Sequence, residues 1–303
     1  MKLTFFGTGT SQGIPIIGCQ CPVCRSTDPR DKRFRASALF EVDGLKILID
    51  CGPDFRSQML RADVGHLDAI LLTHNHKDHI GGLDDVRSLN YVDRRPAEIY
   101  CEPKVLESLQ REYAYAFASP KYPGAPEWHI HLIGTDPFSV HPCADDKELV
   151  WIHDVGYGYK MPDGSLQPSP ENNVEEALND GKGVQVIPIR GIHGKMPILG
   201  FRIGKIAYLT DLSFIPEEEM HKLEGLEHVT LNTVSYRPHH SHMSLDEALA
   251  LADRIAAKHT WLTHLSHNFP VYEQFAQELR KLCAERGIQS EVLPAYDGLE
   301  ISD

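Results

Sequence analysis

The stretch Thr73-His74-Asn75-His76-Lys77-Asp78-His79-Ile80-Gly81-Gly82 places three histidines and an aspartate within six residues. Imidazole and carboxylate together suit zinc, manganese or iron. The apolar run Ala69-Ile70-Leu71-Leu72 precedes it and reads as a buried strand. A helix-like pattern begins near Leu83. In a strand, tight loop and helix start of this kind, His74 and His76 reach one point while Asp78 and His79 reach a second. Two ions about 3.5–4 Å apart need a bridging carboxylate and about three further ligands each. The missing ligands must come from elsewhere in the chain.

Three later apolar runs end in suitable side chains. Val184 to Ile189 leads into Arg190-Gly191-Ile192-His193-Gly194, Ile206 to Leu209 into Thr210-Asp211, and Thr260 to Leu262 into Thr263-His264. Strand ends in a layered α/β protein lie along one edge, so these groups can meet there. The tally is His74, His76 and His193 for one ion, Asp78, His79 and His264 for the other, and Asp211 between them. One further carboxylate, Asp50, ends the run Leu45 to Ile49. Two roles are open to it: orienting a ligand histidine from behind, or capping a helix that starts at Phe55.

Cys19, Cys21 and Cys24 form a second cluster, in Gly18-Cys19-Gln20-Cys21-Pro22-Val23-Cys24. Three thiolates at this spacing favour zinc, and structural zinc wants four ligands, so one more is required from elsewhere in the fold. The chain holds seven cysteines, an odd number, with only these three clustered. That usage fits metal binding in a reducing, cytoplasmic compartment better than a disulfide framework.

With 303 residues, 42% of them hydrophobic, the chain is long enough for a full core. We read it as one hydrolase domain, 1–303, with an insertion at about 134–183 where prolines interrupt the pattern. A net charge of −13 argues against an extended nucleic-acid surface. No run of about 18 apolar residues is present, so no membrane span is expected. The apolar run at Leu3 to Phe6 is too short for a signal peptide. Gly7 to Pro15 is Gly-rich but lacks the Lys-Ser/Thr of a phosphate-binding loop. Helices are expected over Leu83 to Leu89, Lys104 to Ala118, Leu245 to Lys258 and Pro270 to Arg286. Ser244 and Glu247 form a capping box ahead of the third. Trp128 to Ile133 alternates like an edge strand, with His129 and His131 on its solvent face. His141 and His153 have no evident partners.

His74-x-His76-x-Asp78-His79 resembles the HxHxDH signature of the metallo-β-lactamase superfamily, and the later ligand candidates extend the resemblance over most of the chain. It implies a four-layer αβ/βα sandwich, and it implies that the seven residues of the tally are a dinuclear ligand set. Within the superfamily the sequence looks most like the PhnP-like cyclic phosphodiesterase branch. Cys19, Cys21 and Cys24 match that branch's structural zinc triad, His267 matches its fourth ligand, and His242 matches its general acid. The resemblance implies two divalent ions, manganese or zinc, one structural zinc, and hydrolysis of small phosphodiesters with five-membered rings. The expected nucleophile is a hydroxide shared by the two metals. The expected partner is the small substrate, and a homodimer is allowed for. Rival readings are a PqqB-like cofactor-biosynthesis protein and a metal-dependent lactonase or thioesterase.

Overall fold

A computed structural model describes residues 1–122, 124–142, 148–152, 156–161, 163–168 and 174–303. The chain divides into two compact units, Met1–Leu39 with Val186–Asp303, and Phe40–Gln185.

In the Phe40–Gln185 unit, strands Leu45–Ile49, Ala69–Leu71, Ala97–Cys101, Trp128–Leu132 and Val174–Glu176 pair in that order. Every pair is parallel. Parallel strands are covered on both faces and read as unbroken apolar runs. Ile47, Leu48, Ile49, Ile70, Leu71 and Leu72 fit this, each at most 1% exposed. Asp43 and Gly44, with φ of 49° and 84°, make the tight turn between Ser37–Val42 and Leu45–Ile49.

Trp128–Leu132 is not the edge strand that its alternation predicts, because Val174–Glu176 pairs outside it. His129 and His131 are correspondingly not solvent-facing: their side chains are 22% and 11% exposed. The stretch 134–183 also contains a strand at Phe138–Val140. Glu148–Ile152, Gly156–Lys160 and Leu166–Pro168 form a three-stranded antiparallel sheet. His153 lies outside the described residues.

The helix expected from Leu83 is a 3-10 turn, Leu83–Val86, continued by Arg87–Asp93. The helix expected to reach Ala118 stops at Glu112, after which Ala114–Ala116 is 3-10. Tyr113 leaves helical geometry there, and its hydroxyl donates to the Ile80 carbonyl at 2.8 Å.

The other unit is built on strands Val184–His193, Met196–Ile203 and Ile206–Tyr208, antiparallel in succession. Strands His228–Asn232, His259–Thr263 and Glu291–Pro294 then add in parallel. Val184–His193 therefore runs in the same direction as Ile206–Tyr208 and His259–Thr263. His193, Asp211 and His264 consequently emerge from one sheet edge, as the tally requires. Beneath the sheet, Leu231, Leu249, Ala252, Leu262 and Leu279 share one buried cluster.

Helix Leu245–Ile255 has the expected box: Glu247 N–H donates to Ser244 Oγ at 3.4 Å, and Ser244 N–H donates to Glu247 Oε2 at 2.8 Å. Among the described residues, no helix is long and apolar enough to cross a membrane. Ser244→Ala should lower unfolding free energy by about 1 kcal/mol, read as a lower denaturation midpoint at unchanged slope. An unchanged midpoint would show that the cap carries no net stability.

Candidate metal centres

The loop after Ala69–Leu71 is fixed by the loop after Leu45–Ile49. Cys51 N–H donates to the His79 carbonyl and Gly82 N–H donates to the Cys51 carbonyl, both at 2.8 Å. A Cβ on Gly82 would lie 2.1 Å from the Gly52 carbonyl oxygen, so only glycine allows this approach. The result seats Asp50 behind the histidines. Asp50 is fully buried, and burial pushes its pKa up, opposed by His79 and Thr73. Its Oδ2 accepts from His79 Nδ1 at 2.6 Å. Its Oδ1 accepts the Thr73 amide at 2.9 Å, and the Thr73 hydroxyl lies 2.9 Å from Oδ2.

That hydroxyl is also 2.9 Å from His74 Nδ1. With its proton on Asp50, Thr73 Oγ1 accepts from His74 Nδ1–H. One carboxylate thus fixes the tautomer of His79 directly and of His74 through Thr73, and leaves both Nε2 atoms as donors for a metal. Of the two roles open to Asp50, orientation is the one observed. The helix Phe55–Ala62 instead follows Asp54, whose side chain makes no capping bond. The rings of His76 and His79 lie 4.7 and 4.2 Å from that of His74. Asp78 Oδ2 lies 3.3 Å from His79 Nε2.

In the other unit, His193 Nδ1–H donates to the Asp211 backbone carbonyl at 2.7 Å, which makes Nε2 the candidate metal donor. Asp211 is 1% exposed, and its Oδ1 lies 3.0 Å from His264 Nε2. Asp211 and His264 both hold positive φ, 59° and 54°, as Asp50 does at 61°. A side-chain clamp from Asn232 secures the turn after Asp211. Its Oδ1 accepts from Leu212 N–H at 2.6 Å, and its Nδ2 donates to the Leu212 carbonyl at 3.0 Å.

Met243 N–H donates to that same Leu212 carbonyl at 2.9 Å, so His242 is carried up to Asp211. The His242 ring lies 4.6 Å from His193 and 4.9 Å from His264. Burial first, then His264, lowers its pKa to about 3, with Asp211 opposing. His239 and His240, its neighbours in sequence, are exposed. Sequence reasoning missed Thr73 and Asn232. Thr73 stood next to a predicted ligand, whereas nothing local marks Asn232.

The cysteine cluster assembles within one unit. His267 Nδ1 lies 3.3, 3.5 and 3.7 Å from the Sγ atoms of Cys19, Cys21 and Cys24. Nitrogen and sulfur ligands on one tetrahedral zinc are about 3.6 Å apart, so the four residues fit that ion. The Cys24 amide, 3.5 Å from Cys21 Sγ, is the main cause lowering that thiol to about 6. Burial pushes Cys24 up to about 11.

Residues 46–151 and 164–265 match the beta-lactamase superfamily domain. The chain belongs to the metallo-β-lactamase superfamily, as a hydrolase of its PhnP-like branch. It has that superfamily's α/β fold, and family and donor sets together make it a metal-dependent hydrolase. A solved diphosphatase of the PhnP family is 32% identical, with a TM-score of 0.75 over 100% of this chain and 97% of that one. The octanoyltransferase of Porphyromonas gingivalis is 36% identical over 99% of this chain, and the chain spans 51% of that relative's length. Zinc-bound PqqB from Methylobacterium extorquens, 16% identical, covers 100% of both chains with a TM-score of 0.69, a likeness of fold alone.

Gly82→Ala should cost about 1–3 kcal/mol, because its Cβ meets backbone that must move. The same shift draws Asp50 off His79, so metal affinity should fall with stability in a denaturation and metal-titration pair. Cys21→Ser should remove about one zinc per chain, counted by elemental analysis. An unchanged zinc count would contradict the cysteine assignment.

Proposed function

We propose that the chain hydrolyses small phosphodiesters, five-membered cyclic ones above all. In this reading His74, His76, Asp78, His79, His193, Asp211 and His264 hold two divalent ions, with Asp211 shared. The observation that carries it is His242, a part-buried imidazole set against His193 and His264. Two ions bound by these residues would make water nucleophilic near neutral pH and neutralise charge on the phosphoryl oxygens.

The protein's own residues do the rest. Asp50, Thr73 and the Asp211 carbonyl keep the ligand imidazoles in one tautomer. With its pKa lowered to about 3, His242 is neutral at pH 7 before substrate arrives. An anionic phosphate beside the ring favours the imidazolium, and the acid role requires proton uptake with substrate. His242 then donates that proton to the departing ribose oxygen, a poor leaving group that needs an acid.

The 32% identity with a diphosphatase favours a second reading, cleavage of a P–O–P bond. Phosphate leaves more readily than an alkoxide and depends less on an acid. The two readings are separated by assaying bis-p-nitrophenyl phosphate, a 2′,3′-cyclic nucleotide and a nucleoside diphosphate ester with Mn²⁺ or Zn²⁺. On the proposed reading the wild type cleaves the cyclic nucleotide and Asp211→Ala does not. His242→Ala should lower kcat on the cyclic nucleotide by about 100-fold or more, and far less on the p-nitrophenyl ester. Equal losses on both would remove His242 from the acid role. Cleavage of the diphosphate ester alone would favour the second reading.

A further inference from the structure

The Phe40–Gln185 unit carries another set of ligand-type side chains. Parallel register puts Glu98 beside His129, and Glu175 beside His131, so four groups from three neighbouring strands share one face. Glu98, His129 and His131 each bring a ligand atom within 4.8 Å of the others. Glu98 Oε2 lies 2.9 Å from His129 Nδ1 and 2.5 Å from His131 Nε2. A carboxylate only accepts, so those nitrogens carry the protons. The opposite nitrogens, His129 Nε2 and His131 Nδ1, both lie 3.4 Å from Glu175 Oε1. His129 Nε2 is buried and makes no hydrogen bond.

These distances sort the two carboxylates. Nitrogen and oxygen ligands on one tetrahedral ion are about 3.3 Å apart. The Glu175 contacts match that edge. The Glu98 contacts are shorter and are hydrogen bonds.

We propose that His129 Nε2, His131 Nδ1 and the Glu175 carboxylate bind a divalent transition-metal ion of the zinc class, with Glu98 positioning both rings. Glu98 is the carboxylate that fixes ligand tautomers here, as Asp50 does for His79 and His74. With neutral imidazoles the set carries two negative charges, which a divalent ion balances. Tyr100 stacks on the His131 ring at 4.3 Å, and Phe138 stacks on Tyr100 at 5.2 Å, which holds the ligand ring in place. The ion would tie the short strand Val174–Glu176 to Trp128–Leu132 through Glu175.

The test is zinc content per chain after loading at pH 8 and dialysis, for wild type, His131→Gln and Glu175→Gln. Glu175 is 54% exposed, so its replacement leaves the packing intact. The proposal predicts one zinc fewer in each variant. It also predicts that zinc slows amide exchange at residues 174–176 in wild type but not in Glu175→Gln. Equal zinc content in all three proteins would overturn it and leave a metal-free hydrogen-bonded cluster. The outcome does not depend on which phosphate ester is cleaved.

Discussion

A carboxylate with no solvent contact is expensive unless hydrogen bonds satisfy it. Asp50 is that group here, and the HxHxDH loop is arranged to satisfy it through the Thr73 amide, the Thr73 hydroxyl and His79. Meeting the charge fixes the loop at the same time. The imidazole protons point inward to Asp50 and Thr73, and the opposite nitrogens are the candidate metal donors. The main-chain bonds from Cys51 and Gly82 are what bring the two strand ends close enough for this.

The second unit reaches the same end with different groups. A backbone carbonyl orients His193, and an asparagine clamps the turn that carries Asp211. Asp50, Asp211 and His264 each sit at a strand end with φ near +60°. That region costs a non-glycine residue roughly 1 kcal/mol. The cost is met by the hydrogen bonds around each turn, and in return side chains that would continue along the strand are turned toward the sheet edge. Strain of this kind collects at functional sites.

Much of this was legible in the sequence, for identifiable reasons. The HxHxDH stretch and the cysteine triad carry their chemistry in local spacing, and unbroken apolar runs marked the parallel strands. Candidate ligands more than a hundred residues beyond that stretch, His193, Asp211 and His264, were legible because each ends such a run. His267 and His242 needed the family resemblance, since a histidine in a loop says nothing alone about its neighbours. The reading of His129 and His131 as solvent-facing failed because Val174–Glu176 covers their strand. Three residues in a proline-broken stretch give no periodic signal. Asn232 was invisible because its role depends on the register of two parallel strands, fixed only when the sheet forms.

The proposed function requires the seven candidate ligands to hold a pair of ions with Asp211 shared. The most direct measurement is electron paramagnetic resonance of the protein titrated with Mn²⁺. Ions about 3.5–4 Å apart through a shared carboxylate should give an exchange-coupled multiline signal at two equivalents, absent in Asp211→Asn. A six-line signal from isolated Mn²⁺ at every loading would contradict the account.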